Sequence, residues 1–161
     1  MIRILNKIDN LSLLNAYYAL EQNINWTNFG HSGKQSGLQF KDNEDHWTSA
    51  VGPSSGNELL SCNLNPFFKG TVFEDIINEY NLYKTRLMWV GSKTCYSMHR
   101  DETPRIHIPI ITHPDCYFVF RTGMLQHLST DNVWWVDTTK THTFINCSDK
   151  NRLHLVGAVK N

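Results

Sequence analysis

The fold is decided by the stretch Arg105-Ile106-His107-Ile108-Pro109-Ile110, in which basic and aliphatic side chains alternate. Successive side chains of a β-strand point to opposite faces, so Arg105 and His107 share one face and the isoleucines share the other. Such a strand is expected where one face packs in an apolar core and the other lines a pocket for an anion. We therefore predict a strand over residues 105–112.

Further β segments lie on both sides of this strand. They are short, rich in β-branched and aromatic residues, and separated by turn residues: Arg86–Val90, Cys116–Arg121, Asn132–Val136, His142–Asn146 and Arg152–Val159. Several short strands at this spacing indicate a sandwich or barrel rather than a βαβ sheet. We expect a mainly β (α+β) fold, a double-stranded β-helix or jelly-roll core with flanking N-terminal helices.

The N-terminal half is less regular. Apolar residues at helical spacing follow the capping residue Asp9 and predict a first helix, and a similar pattern predicts a second over Val72–Tyr83. Between them, residues 25–70 are rich in glycine and turns, with short strands expected at Gly37–Phe40 and His46–Val51. These loops are placed to form a lid or specificity wall that includes Trp26, Phe29, Gln39 and Trp47, and packing of the aromatic rings in the core is the alternative.

Composition narrows the class of protein. The 161 residues suit one domain, expected to span 1–161, and 15 Lys+Arg balance 15 Asp+Glu. This balance gives no steering toward polyanions, so we expect no nucleic-acid partner. The sequence has no apolar run long enough to span a membrane and no signal peptide, and its four cysteines are scattered. We expect a cytoplasmic protein without a membrane partner.

Candidate metal ligands occur at two places. In His99-Arg100-Asp101 the first and third residues of an extended segment point the same way, so an imidazole nitrogen and a carboxylate oxygen can converge on one ion. His142 begins a later β segment that can fold back beside them. Two histidines and one carboxylate leave open coordination positions, as non-haem Fe(II) requires for oxygen chemistry.

A guanidinium is expected near these ligands. Arg152, His154 and Val156 share one face of the last strand, while Leu153 and Leu155 share the other. A buried Arg needs an anionic partner, and its planar fork matches a carboxylate at two points. His154 is equally consistent with a core histidine and with a ligand contact.

Taken together, these motifs resemble a known family. Residues 99–110, Val133-Trp134-Trp135-Val136-Asp137, His142, Asn146 and residues 151–156 look like the aspartyl/asparaginyl β-hydroxylases. That family belongs to the Fe(II)- and 2-oxoglutarate-dependent oxygenases and includes proline cis-hydroxylases. The resemblance covers residues 86–158, about the C-terminal half of the chain.

The resemblance implies a set of roles. His99, Asp101 and His142 would bind Fe(II), Arg152 would hold the far carboxylate of 2-oxoglutarate, and Arg105 and His107 would help bind that co-substrate. With O2, such an enzyme hydroxylates an unactivated C–H bond and converts 2-oxoglutarate to succinate and CO2. Its substrate would be a small-molecule amino acid or a peptide or protein side chain of the Asp, Asn or Pro type.

Two other functions are consistent with the same residues. Zinc also accepts two histidines and one carboxylate with an open position, which would suit a hydrolase on a jelly-roll scaffold. The chain could also be a non-catalytic jelly-roll binding module. Around the ligands, Asp137 or Asn146 is expected to hydrogen-bond a ligating histidine and fix its tautomer.

Overall fold

The computed structural model describes residues 1–30, 33–53 and 56–160. In chain order its strands are β1 (Ile2–Lys7), β2 (Thr27–Phe29), β3 (Gly33–Gly37), β4 (Gln39–Phe40), β5 (Asn63–Leu64), β6 (Tyr83–Val90), β7 (Thr94–Cys95), β8 (Arg105–Ile111), β9 (Cys116–Phe120), β10 (Leu125–Gln126), β11 (Asn132–Val136), β12 (His142–Asn146) and β13 (Arg152–Ala158). The α-helices are α1 (Asn10–Leu20) and α2 (Val72–Glu79), and short 3-10 turns lie at Glu21–Asn23, Glu58–Leu60 and Pro66–Phe68.

Two antiparallel sheets form the body of the protein. The larger sheet has the strand order β1-β11-β8-β13-β6-β3-β2, and the smaller has the order β10-β9-β12-β7. Apart from the hairpins β2–β3 and β9–β10, neighbouring strands of the two sheets are distant in sequence, so the chain crosses repeatedly between sheet positions, as in a jelly roll. The predicted mainly β jelly-roll fold is confirmed.

Each strand of the large sheet has an outer and an inner face. Ile106, Ile108 and Ile110 of β8 pack with residues of both helices in an apolar cluster on the outer side of the sheet, called the outer core below. A second apolar cluster lies between the sheets and draws on β6, β9, β11 and β12. The alternation predicted from residues 105–110 is therefore confirmed, and the face with Arg105 and His107 lies in the interior between the sheets.

Helix α1 begins where the sequence predicts it. Asp9 is the N-cap, and its Oδ1 accepts hydrogen bonds from the backbone nitrogens of Leu11 (3.1 Å) and Ser12 (3.2 Å). Helix α2 ends earlier than predicted, because Asn81 adopts a positive φ of 50° and turns the chain into β6. Both helices pack their apolar faces on the outside of the large sheet.

The loop region differs from the sequence prediction at two places. Residues 46–51 form turns and not a strand, because the carboxylate of Asp45 accepts hydrogen bonds from the nitrogens of Trp47 (2.9 Å) and Thr48 (3.0 Å). The predicted strand at Gly37–Phe40 is divided between the end of β3 and the short β4. In the part of the chain that is described, no helix is long and apolar enough to cross a membrane.

Candidate metal centre

A backbone bridge joins the two segments that carry the candidate ligands. The nitrogen of His99 donates to the carbonyl of His142 at 2.9 Å, and the reverse hydrogen bond is also 2.9 Å long. The nitrogen of Asp101 donates to the carbonyl of Thr138, again at 2.9 Å. The positions of all three residues are thus set by main-chain pairing, which leaves their side chains available for other contacts.

The structure brings the three predicted ligands together. One donor atom from each of His99, Asp101 and His142 lies within 4.8 Å of the others. Nε2 of His99 is 4.0 Å from Oδ1 of Asp101, and the two imidazole centroids are 4.4 Å apart. This separation is close enough for all three to reach one ion with small side-chain movements.

Hydrogen bonds orient both imidazoles. Nδ1 of His99 lies 2.9 Å from the carbonyl oxygen of Ser97, and Nδ1 of His142 lies 2.9 Å from that of Lys140. A carbonyl only accepts, so Nδ1 carries the hydrogen in each neutral ring and Nε2 keeps its lone pair. Burial lowers the pKa of His142, which favours the neutral form that a metal needs.

The expected roles of Asp137 and Asn146 are wrong. Asp137 accepts a hydrogen bond from Thr139. Asn146 donates to the carbonyls of Gly91 (2.9 Å) and Lys150 (2.8 Å) and so holds the turn before β13. Main-chain carbonyls two residues before each histidine do the orienting instead, a local contact that leaves no side-chain signal in the sequence.

The donor set fits a ferrous ion. Two imidazole nitrogens and one carboxylate oxygen lie close together, a donor set typical of non-haem Fe(II) sites, although zinc accepts the same donors. His142 is buried, whereas the side chains of Asp101 and His99 are 21% and 44% exposed. The cluster is therefore open on one side, where further ligands can approach.

Arg105 is engaged by protein carboxylates. Its Nη1 and Nη2 donate to Oε1 (2.8 Å) and Oε2 (2.7 Å) of Glu58, and its Nε lies 3.2 Å from Oδ2 of Asp101. These contacts place Arg105 against a candidate metal ligand, and its role in binding the co-substrate stays a prediction. Glu58 was not predicted, since nothing in the sequence connects it with a strand 47 residues later.

Arg152 is a buried guanidinium without a protein carboxylate. It is 1% exposed, Nη1 and Nη2 have no hydrogen-bond partner among the described residues, and Nε donates to Thr112 Oγ1 at 3.3 Å. Its guanidinium lies over the Phe144 ring, 4.4 Å from the centroid. Burial lowers its pKa to about 10, so it stays charged at neutral pH. A buried cation without an anionic partner destabilises the folded protein.

His107 and His154 are both buried and face the same interior. Their rings stack with centroids 5.7 Å apart, and His107 Nε2 and His154 Nδ1 have no partner within the described part of the chain. Burial, followed by the nearby charge of Arg152, holds the pKa of each well below its usual range. Both rings are therefore neutral at pH 7 and offer polar atoms to a ligand without adding charge.

Two cavities meet at the candidate ligands. The inner one, about 70 Å³, is bounded by His142, His107 and His154, and the outer one, about 410 Å³, is bounded by His99, Asp101 and Arg105. Arg86 lines both cavities, although its sequence neighbourhood carries no motif that marks it as a site residue.

The predicted specificity wall is only partly in place. Phe29, Gln35, Gly52 and Pro53 of the loop region line the outer cavity. Trp26 and Trp47 pack against the outer core, and the amide of Gln39 donates to the carbonyl of Leu82 at 2.8 Å. Of the four predicted wall residues, Phe29 therefore lines the outer cavity, while Trp26 and Trp47 pack in the core.

Comparisons with known proteins locate the fold. No family model matches the sequence, and neither does any curated protein. Among solved structures, HygX from Streptomyces hygroscopicus with nickel and 2-oxoglutarate bound aligns with a TM-score of 0.59 at 6% identity, over 97% of this chain and 81% of that one. A second HygX structure, with nickel, 2-oxoglutarate and hygromycin B, gives 0.58 at 8% identity over the same shares.

A viral enzyme gives a similar result. The collagen prolyl hydroxylase vCPH from Paramecium bursaria Chlorella virus-1, in its 2-oxoglutarate complex, aligns with a TM-score of 0.53 at 10% identity, over 98% of this chain and 96% of that one. The chain shares its jelly-roll fold with 2-oxoglutarate-binding proteins. At these identities the likeness concerns the fold alone, and the resemblance to the aspartyl/asparaginyl β-hydroxylases stays a prediction from the motifs.

Proposed function

We propose that the protein is an Fe(II)- and 2-oxoglutarate-dependent oxygenase that hydroxylates an unactivated C–H bond of an amino acid or of a peptide or protein side chain. The observation that carries the proposal is the presence, between the two sheets, of a two-histidine-one-carboxylate cluster and the buried guanidinium of Arg152, whose Nη1 and Nη2 have no hydrogen-bond partner among the described residues. His142 and Phe144 are alternate residues of β12, so the metal cluster and the guanidinium over Phe144 share one face of that strand.

The residues present fit the two absent groups. His99, Asp101 and His142 would hold Fe(II), Arg152 would hold the far carboxylate of 2-oxoglutarate, and His107 would offer Nε2 as a further polar contact. When bound, the ferrous ion and 2-oxoglutarate together activate O2, with release of succinate and CO2 and insertion of one oxygen atom into the substrate.

The protein's own contribution is positioning. The neutral imidazoles and the single carboxylate would leave a net positive charge on a bound divalent ion, which would attract an anionic co-substrate. Arg152 supplies a planar fork for two-point contact with a carboxylate. Phe118 stacks on His142 at 4.8 Å between centroids, and Phe144 covers Arg152, so apolar rings keep bulk water from the interior.

The test is an anaerobic titration of the protein with Fe(II) and 2-oxoglutarate, followed by visible absorbance. The proposal predicts a weak metal-to-ligand charge-transfer band that saturates at one equivalent of Fe(II) and is absent from the His142→Ala variant. A zinc hydrolase or a metal-free binding module would give no such band, and its absence from the wild-type protein would refute the proposal. Neither alternative gives the buried guanidinium of Arg152 an anion.

A further inference from the structure

Building on the proposed function, we propose that Arg86 binds a carboxylate of the substrate, and that the substrate is a small carboxylic acid of amino-acid size. Arg86 lies on the wall shared by the inner and outer cavities, beside His99 and Asp101. Like these two candidate ligands, it borders both cavities and is within the space that a bound substrate would occupy.

The guanidinium of Arg86 has capacity for a ligand. Its Nε is shielded from solvent and has no hydrogen-bond partner in the described part of the chain, and Nη1 makes one long contact, 3.4 Å, to the carbonyl of Lys84. Among the described residues no carboxylate oxygen lies within 4.0 Å of it. Because burial lowers its pKa only to about 10, it remains a cation at neutral pH.

Arg86 and Arg152 are separate anion sites. On the paired strands β6 and β13, Arg152 is opposite Val90 and Arg86 is opposite Val156. The Cα atoms of the two arginines are therefore offset by four residues along the strand direction, which is about 13 Å at the usual rise. Arg152 lies beneath Phe144, whereas Arg86 lines the open cavity, so we assign the first to the co-substrate and the second to the substrate.

Other cations at the cavity are less suited to this role. Arg105 is bound at two points by Glu58. Lys84 donates from Nζ to the carbonyl of Gly52 at 3.1 Å, and burial lowers its pKa to about 8. Arg100, also on this wall, is solvent-exposed and donates from Nε to Thr141 Oγ1 at 2.8 Å. Arg86 differs from these cations in that its Nε is shielded from solvent and no carboxylate of the described residues pairs with it.

The cavity also indicates the size and charge of the substrate. Its volume of about 410 Å³ is at the lower end of the range for small-molecule pockets. Glu102, on the same wall, carries a charge opposite to that of Arg86. Arg86 and Glu102 thus place charges of opposite sign on one wall of the cavity, which suits a zwitterionic amino acid whose carboxylate would meet Arg86.

The test measures binding without turnover. The anaerobic complex with Fe(II) and 2-oxoglutarate is titrated with each proteinogenic L-amino acid and with the matching primary amide, and the perturbation of the charge-transfer band gives each Kd. We expect at least one acid to bind about tenfold or more tightly than its amide, since a charge-assisted two-point contact is lost in the amide.

Variants assign that preference to a residue. In Arg86→Gln the acid should lose about tenfold or more in affinity while the Kd of 2-oxoglutarate stays within about threefold. Arg86→Lys, which keeps the charge and loses the fork, should be intermediate. The control Arg121→Gln removes an exposed arginine outside both cavities and should leave the acid's Kd unchanged. Circular dichroism confirms that each variant is folded.

The outcomes separate this proposal from the proposed function. Equal binding of acids and amides, a failure of every acid to perturb the band, or a loss of 2-oxoglutarate affinity in Arg86→Gln would each overturn the role of Arg86 while leaving the oxygenase assignment intact. Preference for a blocked peptide over every free amino acid would also overturn it. Absence of the band itself from the wild-type protein would overturn both.

Discussion

Arg105 and Glu58 form a two-point ion pair inside the protein, with both terminal nitrogens within 2.8 Å of the two carboxylate oxygens. The third guanidinium nitrogen, Nε, faces the carboxylate of Asp101 at 3.2 Å. The orientation of a candidate metal ligand therefore depends on Glu58, a residue of a short 3-10 turn far away in sequence. This link connects the loop region to the metal centre.

Removal of the Glu58 carboxylate should destabilise the fold. The side chains of Glu58 and Arg105 are 1% and 4% exposed, so Glu58→Gln leaves a buried cation with only Asp101 as a charged partner. We expect a loss of about 3–5 kcal/mol in the free energy of unfolding, measured by urea denaturation. The control Glu79→Gln, at an exposed position of α2, should change it by less than about 0.5 kcal/mol. Equal effects of the two substitutions would contradict the account.

Arg105→Lys should act on metal binding. Lysine cannot contact Glu58 at two points and Asp101 at the same time, so the ligand carboxylate loses its fixed orientation. We expect the affinity for Fe(II) to fall about 10–100-fold, measured by competition with a chelator under anaerobic conditions. A variant with normal metal affinity and weakened 2-oxoglutarate binding would instead support the co-substrate role that the sequence predicted.

Arg152→Lys tests the site for the far carboxylate. The charge is kept, but the planar fork is lost, and the Kd of 2-oxoglutarate should rise about tenfold or more. Fe(II) affinity should be unaffected, because Arg152 does not contact the three ligand residues. The Kd is measured by titration of the charge-transfer band, and an unchanged value would show that another residue binds the co-substrate.

The buried histidines predict the pH dependence of stability. In the unfolded chain His107 and His154 titrate near 6.5, and in the folded protein burial holds the pKa of both well below that value. Below about pH 6.5 the unfolded state binds more protons, so acidification favours unfolding, by at most about 1.4 kcal/mol per pH unit for each residue.

This dependence can be assigned to one residue. Urea unfolding of the metal-free protein between about pH 5.5 and about pH 7.5 should show a shallower slope in His154→Leu than in the wild type. The comparison of slopes removes the contribution of carboxylates, which titrate in both proteins. Identical slopes would mean that His154 does not remain neutral in the folded state.

The C-terminal strands and the convergence of His99, Asp101 and His142 could be predicted from sequence for a clear physical reason. In residues 105–110 and 152–156 the alternation of charged and aliphatic side chains matches the two faces of a buried sheet. His99, Asp101 and His142 were identifiable as candidate ligands because a metal site would restrict the residue types and the local spacing. All six strands predicted from Arg86 onward are present.

Strands and residues whose sequence shows neither alternation nor ligand spacing could not be predicted. β1 lies at a sheet edge with mostly exposed side chains, so its sequence shows no strong alternation. Glu58 acts through a partner that only the tertiary fold brings near. Arg86 resembles any arginine at a strand end until its position beside the cavities is known.

The most direct measurement of the central claim is an anaerobic crystal structure of the protein with Mn(II), as a redox-inert substitute for Fe(II), and 2-oxoglutarate. We expect one metal ion bonded by Nε2 of His99, Nε2 of His142 and the carboxylate of Asp101, with the far carboxylate of 2-oxoglutarate on the guanidinium of Arg152. A metal bound elsewhere, or a co-substrate whose far carboxylate lies on Arg86 and leaves Arg152 unpaired, would contradict it.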